Sequence, residues 1–323
     1  MSAPALRAAG LRKTYPSGQG RDPVVALDDL GFEVPRGTVF GLLGPNGAGK
    51  STTVRILATL TAADGGEAVV DGLDVARRPG AVRRRIGLVS QRPSSDPMAT
   101  GRENLVLAAR LQGLSRAEAA DRAAALLDRF ALAEAADRLV RTWSGGMSRK
   151  LDVAIGLVHR PSVLFLDEPT TGLDPEARAE MWAEIGRLTR DDDTTVLLTT
   201  HYLDEADRLA DALAIVDRGR VAVEGTPDGL KSELRGDAIA VELTEARDAA
   251  RSADRVGAIP GVREVSVDER SLRARADEGA RAVPLVLAAL DEIGVAVSSA
   301  TVARPSLDDV YLRHVGRTFE AVA

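Results

Sequence analysis

Short, largely apolar runs recur through the first two thirds of the chain, and stretches rich in Ala, Arg and Glu separate them. Phe40–Leu43, Arg85–Val89, Val163–Leu166, Thr195–Thr199 and Ala212–Val216 are apolar without alternation. That is the pattern of strands buried on both faces. Such strands, separated by helical segments, predict a parallel sheet with helices on either side. Ser51–Thr59 reads as one of those helices. Val24–Val34 and Glu67–Val70 fit an antiparallel sheet packed alongside, and 104–139 has a helical pattern with few strand formers.

The texture changes after Gly225-Thr226-Pro227, where a polar link runs to about Gly236. Beyond it the pattern reads strand (Ala238–Leu243), helix (Glu245–Val256), strands (Arg263–Val267 and Leu272–Ala276), helix (Arg281–Ile293) and strand (Ala296–Val302). This order predicts a two-layer βαββαβ domain. Pro305-Ser306-Leu307 then opens a Ser-capped terminal helix. The expected fold is therefore α/β: residues 1–230 form a parallel sheet with antiparallel β and helical subdomains. Residues 231–323 form a small C-terminal α+β domain.

Composition narrows the picture. With aromatic residues at 3%, the core must be built from Ala, Val and Leu. The absence of cysteine excludes disulfides, thiolate zinc sites and thiol catalysis. A net charge of −6 argues against a general nucleic-acid binder, so no nucleic-acid partner is expected. The N-terminus lacks a signal-peptide core, and no apolar run reaches the ~18 residues of a membrane span. Any transport role would need a separate membrane subunit.

The chemistry is concentrated in residues 1–230. Gly44-Pro45-Asn46-Gly47-Ala48-Gly49-Lys50-Ser51, followed by Thr52, fits G-x-x-x-x-G-K-[ST] between a strand and a helix. Glycines let backbone N–H groups turn towards a triphosphate, and the helix start adds its positive dipole end. Lys50 would reach the β- and γ-phosphates, and Ser51 would ligate magnesium. Asp167 and Glu168 end an apolar strand, where open sheets place their ligands. Asp167 is suited to hold magnesium through water, and Glu168 to orient or deprotonate the attacking water. The expected cofactors are ATP and Mg2+, on a P-loop NTPase fold.

These motifs, in this order, resemble the ATP-binding-cassette ATPases over roughly residues 5–230. The resemblance implies further roles. Gln91 falls at the magnesium-sensing glutamine, and His201 at the switch histidine. Ser144-Gly145-Gly146 match the signature that binds the γ-phosphate held by the opposite subunit. Asp174, in Gly172-Leu173-Asp174, matches the loop that crosses the dimer interface, and Tyr15 the aromatic that stacks on adenine. Catalytic roles fall to Glu168, His201 and Lys50. In the family two cassettes meet head to tail around two ATP molecules, so a homodimer is implied.

Two residues depart from the family pattern: Met147 stands where Gln is usual after the two glycines, and Trp143 where Leu is usual before the serine. Ser-Gly-Gly-Met followed by Ser148-Arg149-Lys150 is similar to the daunorubicin-resistance type of ATPase in bacterial drug exporters. Thr199–Ala206 and Pro305–Leu312 are similar to that subgroup too, and the tail resembles its accessory domain. This implies a peripheral protein at the cytoplasmic face of the cell membrane. Its partners would be integral membrane permease subunits of the ABC-2 type, and its cargo a hydrophobic drug or antibiotic. A soluble cassette ATPase acting on the ribosome or nucleic acid is the alternative. A P-loop kinase has no use for Ser144-Gly145-Gly146 or His201. Arg83-Arg84-Arg85 and Asp191-Asp192-Asp193 read as solvated surface, with the arginines as candidates for lipid head groups.

Overall fold

A computed structural model describes residues 3–16, 22–234, 236–245 and 248–316. They divide between Pro227 and Asp228 into two compact units.

In the first unit the chain runs β1 (Leu6–Tyr15), β2 (Val24–Val34), β3 (Val39–Leu43), α1 (Lys50–Leu57), β4 (Gly65–Val70), β5 (Leu73–Asp74), α2 (Pro79–Arg83) and β6 (Ile86–Val89). It continues with α3 (Gly101–Leu111), α4 (Arg116–Arg129), α5 (Gly145–Gly156), β7 (Val163–Asp167), α6 (Pro175–Asp192), β8 (Thr195–Thr200), α7 (Leu203–Leu209), β9 (Ala212–Asp217) and β10 (Arg220–Gly225). A six-stranded sheet has the order β10-β9-β3-β8-β7-β6. All of its neighbouring strands are parallel except β10, which lies antiparallel on β9. A separate antiparallel sheet has the order β2-β1-β4-β5.

The apolar strands are buried on both faces, as their lack of alternation predicts. Val163 and Phe165 of β7 join the cluster that includes the antiparallel sheet and α1. Leu164 and Leu166 point the other way, into the cluster built from α3 to α6. Strand β8 divides likewise, Leu197 to the first cluster and Val196 with Leu198 to the second. The core is chiefly Ala, Val and Leu.

In the second unit, α8 (Pro227–Glu233) begins at the division. It is followed by β11 (Asp237–Leu243), α9 (Ala249–Gly257), β12 (Val262–Asp268), β13 (Ser271–Ala276), α10 (Gly279–Glu292), β14 (Val297–Ala303) and α11 (Leu307–Val315). The βαββαβ order stands, with an antiparallel sheet β12-β13-β11-β14. Its apolar face and the inward sides of α9 and α10 make one core. Ser306 caps α11 in a capping box with Asp309.

Three features differ from the sequence reading. The polar link at 225–236 contains α8, with Pro227 at its first turn and Leu230 and Leu234 buried. Residues up to and including Tyr15 form a ten-residue strand, β1, whose bulges interrupt the alternation that would have marked it. Helix α9 begins at Ala249 rather than Glu245, and residues 246 and 247 lie outside the described residues.

Candidate active site

The loop from Gly44 to Gly49 joins the end of β3 to the start of α1. Gly49 sits at φ 111°, a backbone region that L side chains rarely adopt. A Cβ there would lie 2.7 Å from the Ala26 carbonyl oxygen and 2.7 Å from a methyl of Leu27. Lys50 turns back over the loop, its Nζ donating to the Gly44 carbonyl at 2.6 Å and the Pro45 carbonyl at 3.1 Å. The side chain is buried. Burial pushes the Lys50 pKa down, and the carboxylates of Glu168 and Asp167 act against that shift. A buried cation of this kind gains most from a polyanion.

Asp167 and Glu168 reach the same place from β7, which is separated from β3 by β8. Ser51 Oγ donates to Asp167 Oδ1 at 3.0 Å. Thr199 Oγ1, from β8, donates to the same oxygen at 2.6 Å and accepts from the Glu168 amide at 3.1 Å. The parallel register pairs Asp167 directly with Thr199. Glu168 itself has φ 51°, a left-handed conformation unusual for a residue with a side chain. This turn aims its carboxylate away from the strand path, towards Gln91 and His201. Gln91 Nε2 donates to Glu168 Oε2 at 3.2 Å, and Thr171 Oγ1 donates to it at 3.4 Å. His201 Nδ1 lies 3.3 Å from Glu168 Oε1. That approach lacks hydrogen-bond geometry, for Nδ1 has no hydrogen-bond partner among the described residues.

The structure therefore brings Lys50, Ser51, Asp167, Glu168, Gln91 and His201 together. It adds Thr199, which the sequence reading did not assign a role. Ser51 Oγ and Asp167 Oδ1 are hard oxygen donors within 3.0 Å of each other. No cluster of three His, Cys, Asp or Glu side chains able to hold a metal alone occurs among the described residues. Such oxygens suit magnesium, a cation usually held by few protein oxygens together with phosphate and water.

The other predicted residues lie apart from this group. Ser144 is the N-cap of α5, its Oγ accepting from the Met147 amide at 3.2 Å. Ser144 and Gly145 are exposed, so their polar groups face outward at a helix start. Trp143 is buried, with its ring edge over Gly101, and Met147 packs at the margin of the same core. Asp174 is the exposed N-cap of α6, accepting from the Ala177 amide at 2.8 Å. Tyr15 is half-buried at the end of β1, where Lys13 Nζ lies 5.5 Å from its ring centroid. No helix among the described residues is long and apolar enough to cross a membrane.

Residues 27–171 match the family model described as ABC transporter, and residues 225–315 match that of the DrrA1-3-like ATP-binding protein C-terminal domain. The chain is 48% identical to the daunorubicin/doxorubicin resistance ATP-binding protein DrrA of Streptomyces peucetius, covering 97% of this chain and 92% of that one. It is 33% identical to the linearmycin resistance ATP-binding protein LnrL of Bacillus subtilis, over 97% of this chain and 99% of the relative. Among solved structures it resembles an ATP-binding cassette captured as a post-hydrolysis dimer with ADP and phosphate. There the TM-score is 0.63 and the identity 25%, over 68% of this chain and 98% of that one. The cbiO1 protein of Clostridium perfringens, part of an ABC transporter complex, matches with a TM-score of 0.64 and 27% identity, over 72% and 92% of the two chains.

Proposed function

This chain belongs to the ABC transporter ATP-binding proteins, in the daunorubicin/doxorubicin-resistance group, and we propose that it powers export of a hydrophobic drug or antibiotic. It is an ATPase whose hydrolysis is coupled to transport. In this reading two copies pair head to tail at the cytoplasmic face of the cell membrane, on integral membrane permease subunits of the ABC-2 type. The first unit is the motor and the second an accessory domain. Near-full-length similarity to resistance subunits, tail included, disfavours the alternative of an ATPase acting on ribosomes or nucleic acid.

The observation that carries the reading is the meeting of two motifs far apart in sequence. Ser51 and Asp167 share a hydrogen bond, and Lys50 beside the one and Glu168 beside the other are residue types that suit phosphoryl transfer. The amides of Gly47 to Ser51 would hold the α- and β-phosphates, and Lys50 would exchange its two carbonyl partners for the β- and γ-phosphates. Magnesium, when bound, would neutralise charge developing between the phosphates, held by Ser51, Gln91 and, through water, Asp167. Glu168 would orient the attacking water and accept its proton. His201, 3.3 Å from Glu168 Oε1, would contact the γ-phosphate. Tyr15 would stack on the adenine. Ser144, Gly145 and Gly146 of the opposite copy, with Asp174 at the seam, would close the pocket.

Replacing Glu168 by Gln keeps size and removes the proton acceptor. The purified variant should bind ATP and dimerise, with turnover reduced at least about a hundredfold, the lower end of what a general base supplies. Near-normal turnover would refute the assignment.

A further inference from the structure

Arg149 lies on α5, five residues beyond the cap at Ser144. Its guanidinium is buried, and the nearest carboxylate on its own helix, Asp152, is 4.0 Å away. Its bonds go instead to backbone carbonyls. Nε donates to Pro169 at 2.8 Å, Nη1 to Ser90 at 2.7 Å, and Nη2 to Asp167 at 3.2 Å and Glu168 at 3.1 Å. Next on the same face, Asp152 Oδ1 accepts from the amides of Ser94 at 2.9 Å and Ser95 at 3.1 Å. One helix thus grips the chain on both flanks of Gln91 and the turn that aims Glu168.

A guanidinium is a planar fork whose donors have fixed spacing, so four carbonyls held by one fork are held relative to one another. A helix also moves as a unit. A displacement at Ser144 is delivered five residues on, about 7.5 Å along the axis at 1.5 Å per residue, to those same carbonyls. Resting on the dimer reading above, we propose that Arg149 is a positioning residue that couples the two nucleotide sites. Engagement of Ser144 by the partner's nucleotide reaches this chain's own Glu168 and Gln91 through it. Glu168 then adopts its working geometry only when both sites are filled.

The test uses the full chain with Arg149→Lys, which keeps the charge and loses the fork, and Arg149→Met, which keeps most of the stem. Arg149→Lys should bind a fluorescent ATP analogue like wild type, while kcat falls about a hundredfold, the penalty of a small misplacement of a reacting group. The Hill coefficient for ATP should drop from about 2 towards about 1, since cooperativity is bounded by the number of coupled sites. Ser144→Ala, combined with it, should cost little more than either change alone. Should Arg149→Met fail to fold, the lysine variant carries the test. Wild-type kcat and Hill coefficient in Arg149→Lys would overturn the proposal. So would a loss of kcat that follows melting temperature while cooperativity persists and the Ser144→Ala penalty multiplies. Glu168→Gln run in parallel separates the failures. Turnover surviving there sinks the site reading, whereas turnover lost there beside a normal Arg149→Lys sinks only this inference.

Discussion

Placing a methyl group on Gly101 tests how tightly the start of α5 is held. A Cβ at that position would sit 2.3 Å from Cη2 of Trp143 and 2.6 Å from Cζ2. Carbon atoms rest about 3.5–4.0 Å apart, so the ring edge must retreat by more than about 1 Å. The ring belongs to the core shared by α3, α4 and α5, where overpacking costs about 1–3 kcal/mol. Alanine returns up to about 1 kcal/mol through reduced backbone freedom. Gly101→Ala should therefore destabilise by about 1–2 kcal/mol, or a melting temperature lower by about 3–6 °C for a unit of this size. Trp143 immediately precedes Ser144, so the same push should lower turnover without affecting nucleotide binding at Lys50. Scanning calorimetry of the full chain gives the first number. A cycle with Trp143→Leu identifies the cause, because the smaller side chain relieves the clash. The two changes should be coupled by more than about 0.5 kcal/mol, with the double variant better than the sum of its parts. Additive costs, or a Gly101→Ala protein that melts at or above wild type, would refute the reasoning.

Two other perturbations address the nucleotide site. Burial lowers the Lys50 pKa, so over the window below the ordinary lysine value of 10.5 the unfolded chain binds more protons than the folded one. Stability of the free protein should rise with pH there. A bound triphosphate favours the ammonium, so ATP affinity should fall over the same window by up to about tenfold per pH unit. Titration calorimetry in buffers of different ionisation heat would register the proton taken up, and an affinity flat up to pH 10.5 would contradict it. Asp167→Asn should leave metal-free nucleotide binding intact and weaken magnesium dependence by about 10–100-fold, as measured by ATP affinity across a magnesium series.

Much of the ATPase unit can be read in the sequence because its strands are short, apolar and unalternating. The residues between Phe40 and Ser51 reveal strand, loop and helix at once. Strand β1 escapes because its bulges break the period, and β10 because its half-buried alternation is brief. Helix α8 hides behind Thr226-Pro227, which reads as a turn although Pro suits a helix start. Thr199 could not be assigned without strand register, since only the pairing of β7 with β8 sets it against Asp167. Arg149 did leave a signal. With Asp152, Val153 and Gly156 it forms a buried stripe at helical spacing, and a charged pair on such a stripe marks a polar contact inside the protein. From sequence it counts only as part of Ser148-Arg149-Lys150 in the resemblance, because its carbonyl partners lie on other segments.

The hydroxyl at the head of α5 has a capacity still in reserve. Ser144 caps by accepting a hydrogen bond from the Met147 amide, which uses an oxygen lone pair and leaves its own hydroxyl hydrogen uncommitted. It can donate that hydrogen to an anion without loosening the first turn, so recognition and helix integrity do not compete. Aspartate would preserve the cap and repel the anion, whereas alanine would forfeit both, and a comparison of the two distinguishes the scaffold's need from the ligand's.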